Sequence, residues 1–494
     1  MAHFDVRCTD RYKPHMAAIG YPLREEVFEY VHRRGGVQYV PFDLAAYVKD
    51  LLPRYNGEAE GTFSKIDLLL TPAMRIALYG DLRVSVLSRG SWFLPGEPIL
   101  TVRGPSALGS HVEPTLLWLH YPIQLATLAL VDPDRFAAEV RVVTCEGQRD
   151  VVRRVCESLG ISMPKVEVDS VAYHRRVYDR AKKLVEIVES GDRLFEVGMR
   201  SATCMEQHEI ALRACAAAGI RKTSNIYLAD KLGMEAVGTM GHEHVQRFGD
   251  DEAAFRAARD RSPGPATFLL DTTDTLRSGL PAALLLRKEN DRGDWFRFDS
   301  GDIAAQLRKA HVVCLAAGLR GRYILEDGFD DERVSEFEMI RKELKIDAED
   351  QRYGVGGWLI AGPSGTSLTR DAVQAVYKLS FTRGRPTMKF GDGGKKSVPG
   401  DPVIWRRVVG APERSPFGVI AQRGEKIQTG FVQLTDREAI EGDVFFREGL
   451  VRAKRGLTLR PGMSSETKTL VQVLSDERRR TIHELGVRAR EMTG

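Results

Sequence analysis

The chain has 494 residues, 43% hydrophobic and 28% charged, with 72 basic and 68 acidic side chains for a formal charge of +4. That is the make-up of an ordinary soluble globular protein, too long for one compact core, so two or three domains are expected. The near-balanced charge excludes a global pull toward nucleic acid or an anionic membrane, while leaving room for local basic sites that hold anionic substrates.

Six cysteines, at 8, 145, 156, 204, 215 and 314, form neither a CxxC pair nor a zinc spacing, which reads as reduced, buried thiols in a cytoplasmic protein. Met1 to Asp10 carries no apolar signal-like core. Residues 1–130 lack a βα rhythm. Glu26–Arg33 reads as a strand or a helix end, Leu82, Val84 and Val86 alternate in strand fashion, and Trp92–Val102 is a β segment around Pro95-Gly96. The apolar run Thr115–Val131 is interrupted by His120, Pro122 and Gln124, which marks a buried helix rather than a membrane span.

From about 131 the pattern changes. Apolar residues at 173, 177, 181, 184 and 188 predict a helix ended by Gly191, and Ala211–Ala218 a second ended by Gly219. Short apolar strands, Thr267–Leu270, Trp295–Phe298, Tyr323–Leu325 and Trp358–Ala361, then alternate with helices, one of which sets Val334, Phe337, Ile340 and Leu344 on one face. Alternating βα units imply parallel strands, hence a barrel or an open α/β sheet. After about 380 the rhythm stops. Val403–Val409 and Leu457–Leu459 read as strands, and the tail from Asp476 as a charged, solvated helix. The expected division is an N-terminal mixed α/β lobe (1–130), an α/β barrel (131–380) and a C-terminal segment (381–494) packing on the N-terminal lobe.

Several clusters rich in small, hydroxyl and charged residues follow or end apolar segments, as loops at the ends of barrel strands do. Asp271 and Asp274 follow one strand and Asp299 and Asp302 another. Carboxylates there either bind Mg²⁺ or ribose hydroxyls, or cap the next helix. Asp327-Gly328 and Gly354-Val355-Gly356-Gly357 offer backbone amides to phosphate oxygens, although no dinucleotide or Walker pattern is present. Arg200 and Arg297 are candidates for gripping a pyrophosphate. His242 and His244 alternate, so on a strand both would face one way, and Glu243 is placed to orient an imidazole that accepts a phosphoryl group.

In order along the chain, Thr9-Asp10-Arg11-Tyr12-Lys13, Pro95-Gly96-Glu97-Pro98, Gly238-Thr239-Met240-Gly241-His242-Glu243, Asp271-Thr272-Thr273-Asp274-Thr275, Asp299-Ser300-Gly301-Asp302, and Val376-Tyr377-Lys378-Leu379 with Met388-Lys389 and Pro399-Gly400 together resemble the motifs of nicotinate phosphoribosyltransferases. The resemblance implies a type II phosphoribosyltransferase fold, an irregular α/β barrel with a second mixed α/β domain built from both chain ends. It implies transfer of phosphoribose from phosphoribosyl pyrophosphate to nicotinate, with Mg²⁺ held at Asp299. It also implies ATP as co-substrate through a phosphorylated His242. A homodimer is implied, in which Tyr12 of one subunit reaches the ring pocket of the other.

On this reading Arg200 and Arg297 neutralise the departing pyrophosphate, Asp299 and Asp327 hold ribose hydroxyls, Asp271 contributes to the same site, and Gly328, Gly356 and Gly357 take the 5′-phosphate. Two departures bear on the base. Val197 stands where the family has a phenylalanine, removing a stacking partner worth about 0.5–1.5 kcal/mol. Ser224 stands where nicotinamide-using relatives have aspartate, so a hydroxyl is available to a carboxylate. Nicotinamide phosphoribosyl transfer and a non-catalytic nucleotide-binding regulator are the alternatives. Residues 132–194, where the motifs are thinnest, read as an insertion.

Overall fold

The structure, a computed structural model, describes residues 5–52, 81–363, 368–390, 397–407, 416–427, 430–437 and 460–491. The N-terminal lobe is organised around β1 (Glu25–His32), in which every residue after the first is buried. β2 (Arg83–Val86) and β3 (Pro98–Pro105) pair antiparallel beside it, Val84 opposite Val102 and Phe28 opposite Val102. β1 carries buried acids that strand periodicity does not announce. Glu26 is held by the Arg247 Nε at 3.0 Å, and Glu29 accepts the Val398 amide at 2.8 Å. Burial pushes the Glu29 carboxyl up to about 8 against the Val398 amide and the Arg33 charge.

The second body is a wholly parallel sheet of seven strands: β4 (Leu194–Glu196), β5 (Lys222–Thr223), β6 (Glu235–Ala236), β7 (Thr267–Leu269), β8 (Trp295–Phe298), β9 (Tyr323–Leu325) and β10 (Gln351–Val355). Their order is β6-β5-β4-β10-β9-β8-β7, a curled half-barrel whose edges are β6 and β7 among the described residues. The strand expected at Trp358–Ala361 is instead a helical turn, Gly357–Ala361, and the strand is the segment just before it. Gly354 explains the displacement: a Cβ there would meet the Glu326 side chain at 2.6 Å, so β9 and β10 approach too closely for any other residue.

Residues 132–194, expected as an insertion, are helical and packed into the protein. They form α1 (Glu146–Leu159) and α2 (Ser170–Val188), and Tyr173, Val177, Ala181, Leu184 and Val188 of α2 belong to the main core. Glu189, at φ +61°, takes the left-handed position ending α2, where Gly191 was expected to stand. Gly191 is needed for another reason, since a Cβ would collide with the Gly219 carbonyl.

After the barrel, β11 (Ala375–Thr382) returns to pair with β1, Tyr377 opposite Tyr30, and β12 (Arg385–Pro386) forms the edge beyond it. The chain therefore rejoins the N-terminal lobe ahead of the expected boundary at 381. β13 (Pro402–Arg407), β14 (Gly418–Gln422), β15 (Phe431–Gln433) and β16 (Gly462–Met463) make a four-stranded sheet, and a long helix, Ser465–Glu491, closes the described chain. The strand expected at 457–459 lies outside the described residues. The tail helix is not merely a solvated face: Arg478 pairs with Asp274 at 3.3 Å. Residues 113–131 form the one segment with the length and hydropathy of a membrane span among the described residues, and 78% of that window is buried inside the protein.

Candidate active site

The candidate groups gather at the carboxyl ends of the parallel strands, where α/β folds of this kind place their sites. Asp271 follows β7, Asp299 follows β8, Glu326 follows β9, and Arg200 and Ser224 follow β4 and β5. His242 opens α3 (His242–Phe248) after β6. Because it starts a helix, His242 and His244 diverge by about 200° at 100° per residue, rather than facing one way as on a strand. His244 Nε2 donates to the Ala254 carbonyl at 2.9 Å, and burial lowers its pKa to about 4. It is a structural histidine.

His242 points the other way, into a charged cluster. Its Nδ1 lies 3.0 Å from Thr272 Oγ1, and its Nε2 lies 2.6 Å from Lys389 Nζ and 3.3 Å from Asp299 Oδ2. An ammonium can only donate, so the short contact assigns the lone pair to Nε2 and the hydrogen to Nδ1, which donates to Thr272. Burial, then the Lys389 charge, lowers the His242 pKa, so the ring is neutral near pH 7. Replacing Lys389 by Met removes a cation that opposes protonation while Asp271 and Asp299 remain. The midpoint for diethyl pyrocarbonate modification of His242, read by peptide mass against pH, is expected to move to higher pH in that variant.

Glu243 does not orient this ring. Its Oε1 takes Lys13 Nζ at 2.7 Å, and Lys13 also holds Glu113. Burial opposes ionisation of Glu243, but Lys13 and Arg247 outweigh it and keep the carboxylate charged. Lys13→Met would leave two buried carboxylates without their cation, and a loss of about 3–5 kcal/mol is expected in urea unfolding.

Of the four aspartates, two cap helices and two face the cluster. Asp302 accepts the Ala305 amide at 3.0 Å and Asp274 the Arg277 amide at 2.9 Å. Asp271 and Asp299, with His242, have ligand atoms within 4.8 Å of one another. Burial works against their ionisation; Lys389 and His242 overcome it at Asp271, and Arg297 and His242 at Asp299, so both lie below the usual carboxylate range. Asp271 Oδ1 is buried with no hydrogen-bond partner among the described residues.

Arg297 is committed before any substrate arrives. It donates to Thr239 Oγ1 at 2.6 Å and the Met240 carbonyl at 2.8 Å, and pairs with Glu326 at 3.0 Å and Asp299 at 3.3 Å. Glu326 is nonetheless pushed up to about 7 by burial.

Beside this cluster lies a narrow cavity walled by Asp10, Tyr12, Phe195, Val197, Arg200 and Ser224, with Arg297 and Glu326 at its inner end. Tyr12 lines this cavity within its own chain. The Arg11 amide donates to the Ser224 carbonyl at 2.7 Å and Asp10 bridges Asn225, which fastens the N-terminal segment in place. Aromatic walls come from Tyr12 and Phe195, so Val197 does not leave the pocket without a ring. Ser224 donates its hydroxyl to Asp10 Oδ1 at 2.6 Å and is not free for a ligand carboxylate. Among the described residues, Asp10 Oδ2 and Arg200 Nε, buried and 3.7 Å apart, make no hydrogen bond, and neither does Arg297 Nε.

Asp327 and Gly328 adopt left-handed φ values of +85° and +70° just after β9, and Arg333 donates to the Asp327 carbonyl at 2.6 Å. Gly356 and Gly357 end β10, but a Cβ on Gly357 would lie 2.7 Å from an Asp371 carboxylate oxygen. An acidic side chain thus stands beside the expected phosphate position. Lys389, Thr272, Asp10, Phe195 and Glu326 were not singled out from sequence. Asp10 and Lys389 lie inside recognised motifs, while Phe195 and Glu326 look like strand residues until the sheet curls.

No protein-family model matches the chain. It is 29% identical over 266 residues to the nicotinate phosphoribosyltransferase of Bacillus subtilis, covering 52% of each chain. Over 415 residues it is 25% identical to nicotinate phosphoribosyltransferase pncB1 of Mycobacterium tuberculosis, covering 79% of this chain and 77% of that one. The chain thus spans about half the length of the Bacillus relative. Among solved structures, nicotinate phosphoribosyltransferase from Porphyromonas gingivalis superposes with a TM-score of 0.56 at 17% identity, covering 80% of this chain and 95% of that one. That from Vibrio cholerae gives 0.54 at 17%, covering 80% and 90%. The chain has the type II phosphoribosyltransferase fold.

Proposed function

We propose that this chain is a nicotinate phosphoribosyltransferase acting in NAD biosynthesis, transferring phosphoribose from phosphoribosyl pyrophosphate to nicotinate with ATP assistance. The observation that carries the reading is the meeting, at one edge of the half-barrel, of an aromatic-walled cavity and a histidine–lysine–carboxylate cluster. The cavity is small, ≈ 20 Å³, and lined by Tyr12 and Phe195 with the Arg200 cation beside them, so a planar base enters by parting these side chains. In the reaction the pyridine nitrogen bonds to ribose C1 as the C1–oxygen bond to pyrophosphate breaks, and the electron pair leaves with pyrophosphate. Fixed cations aimed at that leaving group lower the barrier. Arg200, 3.7 Å from Asp10 and 3.8 Å from Glu113, is held less closely than Arg297, which lies 3.0 Å from Glu326 and 3.3 Å from Asp299, and is the better placed of the two for this role.

For ATP coupling, His242 Nε2 attacks the γ-phosphorus and ADP departs, with Lys389 neutralising the transferred group and Thr272 fixing the ring through Nδ1. Mg²⁺ suits the donor set in part: the Asp299 and Asp271 carboxylates fit its demand for one or two carboxylates plus substrate phosphates, whereas the imidazole stays outside its shell. When bound, the ion would draw charge from phosphate oxygens. A homodimer and a cytoplasmic location belong to the same proposal, with Tyr12 acting within its own chain.

Asp10 supports a second reading. Its unpaired Oδ2 accepts an amide N–H, which nicotinamide has and nicotinate lacks, while burial raises its pKa and favours a proton that can instead be shared with a carboxylate. Pyrophosphate release from phosphoribosyl pyrophosphate, measured with each base at equal concentration and with or without ATP, tests the assignment. Faster release with nicotinate, stimulated by ATP, is expected. Preference for nicotinamide would install the second reading, and binding without turnover would leave a non-catalytic regulator. Asp10→Asn, which removes the carboxylate charge and puts an N–H donor beside the base, is expected to shift the ratio of the two bases toward nicotinate in kcat/KM by roughly tenfold.

A further inference from the structure

Outside the cluster, two thiols approach each other across the starts of two long helices. We propose that Cys145 and Cys204 form a reversible disulfide, with Cys204 as the thiol that reacts first with a hydroperoxide. Their sulfurs are 3.5 Å apart, so a bond of about 2.05 Å needs them to close by only about 1.5 Å.

Three features set this pair apart from the other four cysteines. Each residue is the N-cap of its helix, Cys145 of α1 and Cys204 of the helix Met205–Ala217, and both have the same extended backbone, φ −162° and −166° with ψ 168°. A helix start favours thiolate over thiol. The two helix starts are also tied together: the Gly147 amide donates to the Glu206 carboxylate at 2.7 Å. Gly147 is what lets the sulfur in, because a Cβ there would stand 2.9 Å from Cys204 Sγ.

Access divides the roles. Cys204 lines a cavity of ≈ 580 Å³ whose other walls include Trp118, Met205 and Tyr227. Cys145 is wholly buried behind it. The hydrogen bond from Cys145, with the Gln207 amide and the Thr203 hydroxyl, holds the Cys204 pKa down against burial and the nearby Glu206. Cys8 also faces this cavity, but burial pushes its thiol up to about 12.

The chemistry balances with a hydroperoxide as oxidant. The Cys204 thiolate attacks the outer peroxide oxygen, the O–O bond breaks, and the departing alkoxide or hydroxide takes a proton, leaving a sulfenic acid. Cys145 sulfur then attacks Cys204 sulfur, the S–O bond breaks, and hydroxide leaves with the Cys145 proton as water. The two thiols lose two electrons and the peroxide gains them. A small thiol reverses the reaction by exchange.

The test uses the reduced full-length chain, treated with hydrogen peroxide, alkylated and digested for peptide mass. A linked Cys145–Cys204 peptide, lost on adding dithiothreitol, is expected. Cys145→Ser should abolish the link and leave Cys204 as a dimedone-reactive sulfenic acid. Gly147→Ala, which keeps both thiols, should slow linkage at least tenfold. The readout is independent of any phosphoribosyl transfer. A Cys8–Cys204 link, or a pair still reduced once free cysteine in the same tube is oxidised, would overturn the proposal.

Discussion

His242→Ala is expected to reduce acid-labile phosphate transferred from γ-labelled ATP to background. The expectation rests on the ring's surroundings. A neutral imidazole with its lone pair held toward an ammonium, and its other nitrogen donating to Thr272, is set to form a nitrogen–phosphorus bond. His244→Ala is the control. That ring is bound to the Ala254 carbonyl and packed on Phe248, so its loss should cost stability while labelling persists. Full labelling in His242→Ala would remove the histidine from the mechanism. The pH profile adds a second check. Since burial lowers the His242 pKa, labelling should stay level as pH falls through 6.5, the usual histidine value, and decline only below it.

Arg297→Met is expected to cost about 3–5 kcal/mol of stability, since it strands the buried Glu326 and part-buried Asp299 carboxylates. Denaturant midpoints measure it. The sign of its pH dependence follows from Glu326. A carboxyl whose folded pKa lies above its unfolded value binds a proton on folding, so it favours folding as pH falls through the folded value. In the native chain that value is about 7, set by burial against the pull of Arg297. Without Arg297 it rises further, so the deficit of the variant should shrink between pH 8 and pH 5. Arg297→Met combined with Glu326→Gln should recover part of the loss, because a neutral amide needs no cation. A deficit that does not vary with pH would mean that packing, not the stranded charge, is responsible.

Much of this architecture was legible before any coordinates. Hydrophobic spacing located β8 and β9 to the residue, and placed at 115–131 the buried helical run that the structure extends to 113–131. Motif order pointed to the fold and to His242, Asp271, Asp299 and Arg297. The errors share a cause. The histidine pair leaves strand and helix start undecided, because the two look alike over three residues. Trp358–Ala361 was read as a strand because a short apolar run does not reveal its period. Glu243 was paired with its neighbour in sequence, whereas its cation comes from Lys13, 230 positions away.

What the sequence determined by itself is the set of elements and the chemistry available at their ends, because periodicity, caps and turn residues act over a few neighbours. Tertiary structure alone decided which charges meet. Lys389 reaches His242 across 147 residues, Ser224 is taken by Asp10 across 214, and Tyr12 folds into its own chain's cavity. A buried charge must find its counter-charge wherever the fold supplies one, and that partner is chosen by the curl of the sheet rather than by proximity along the chain.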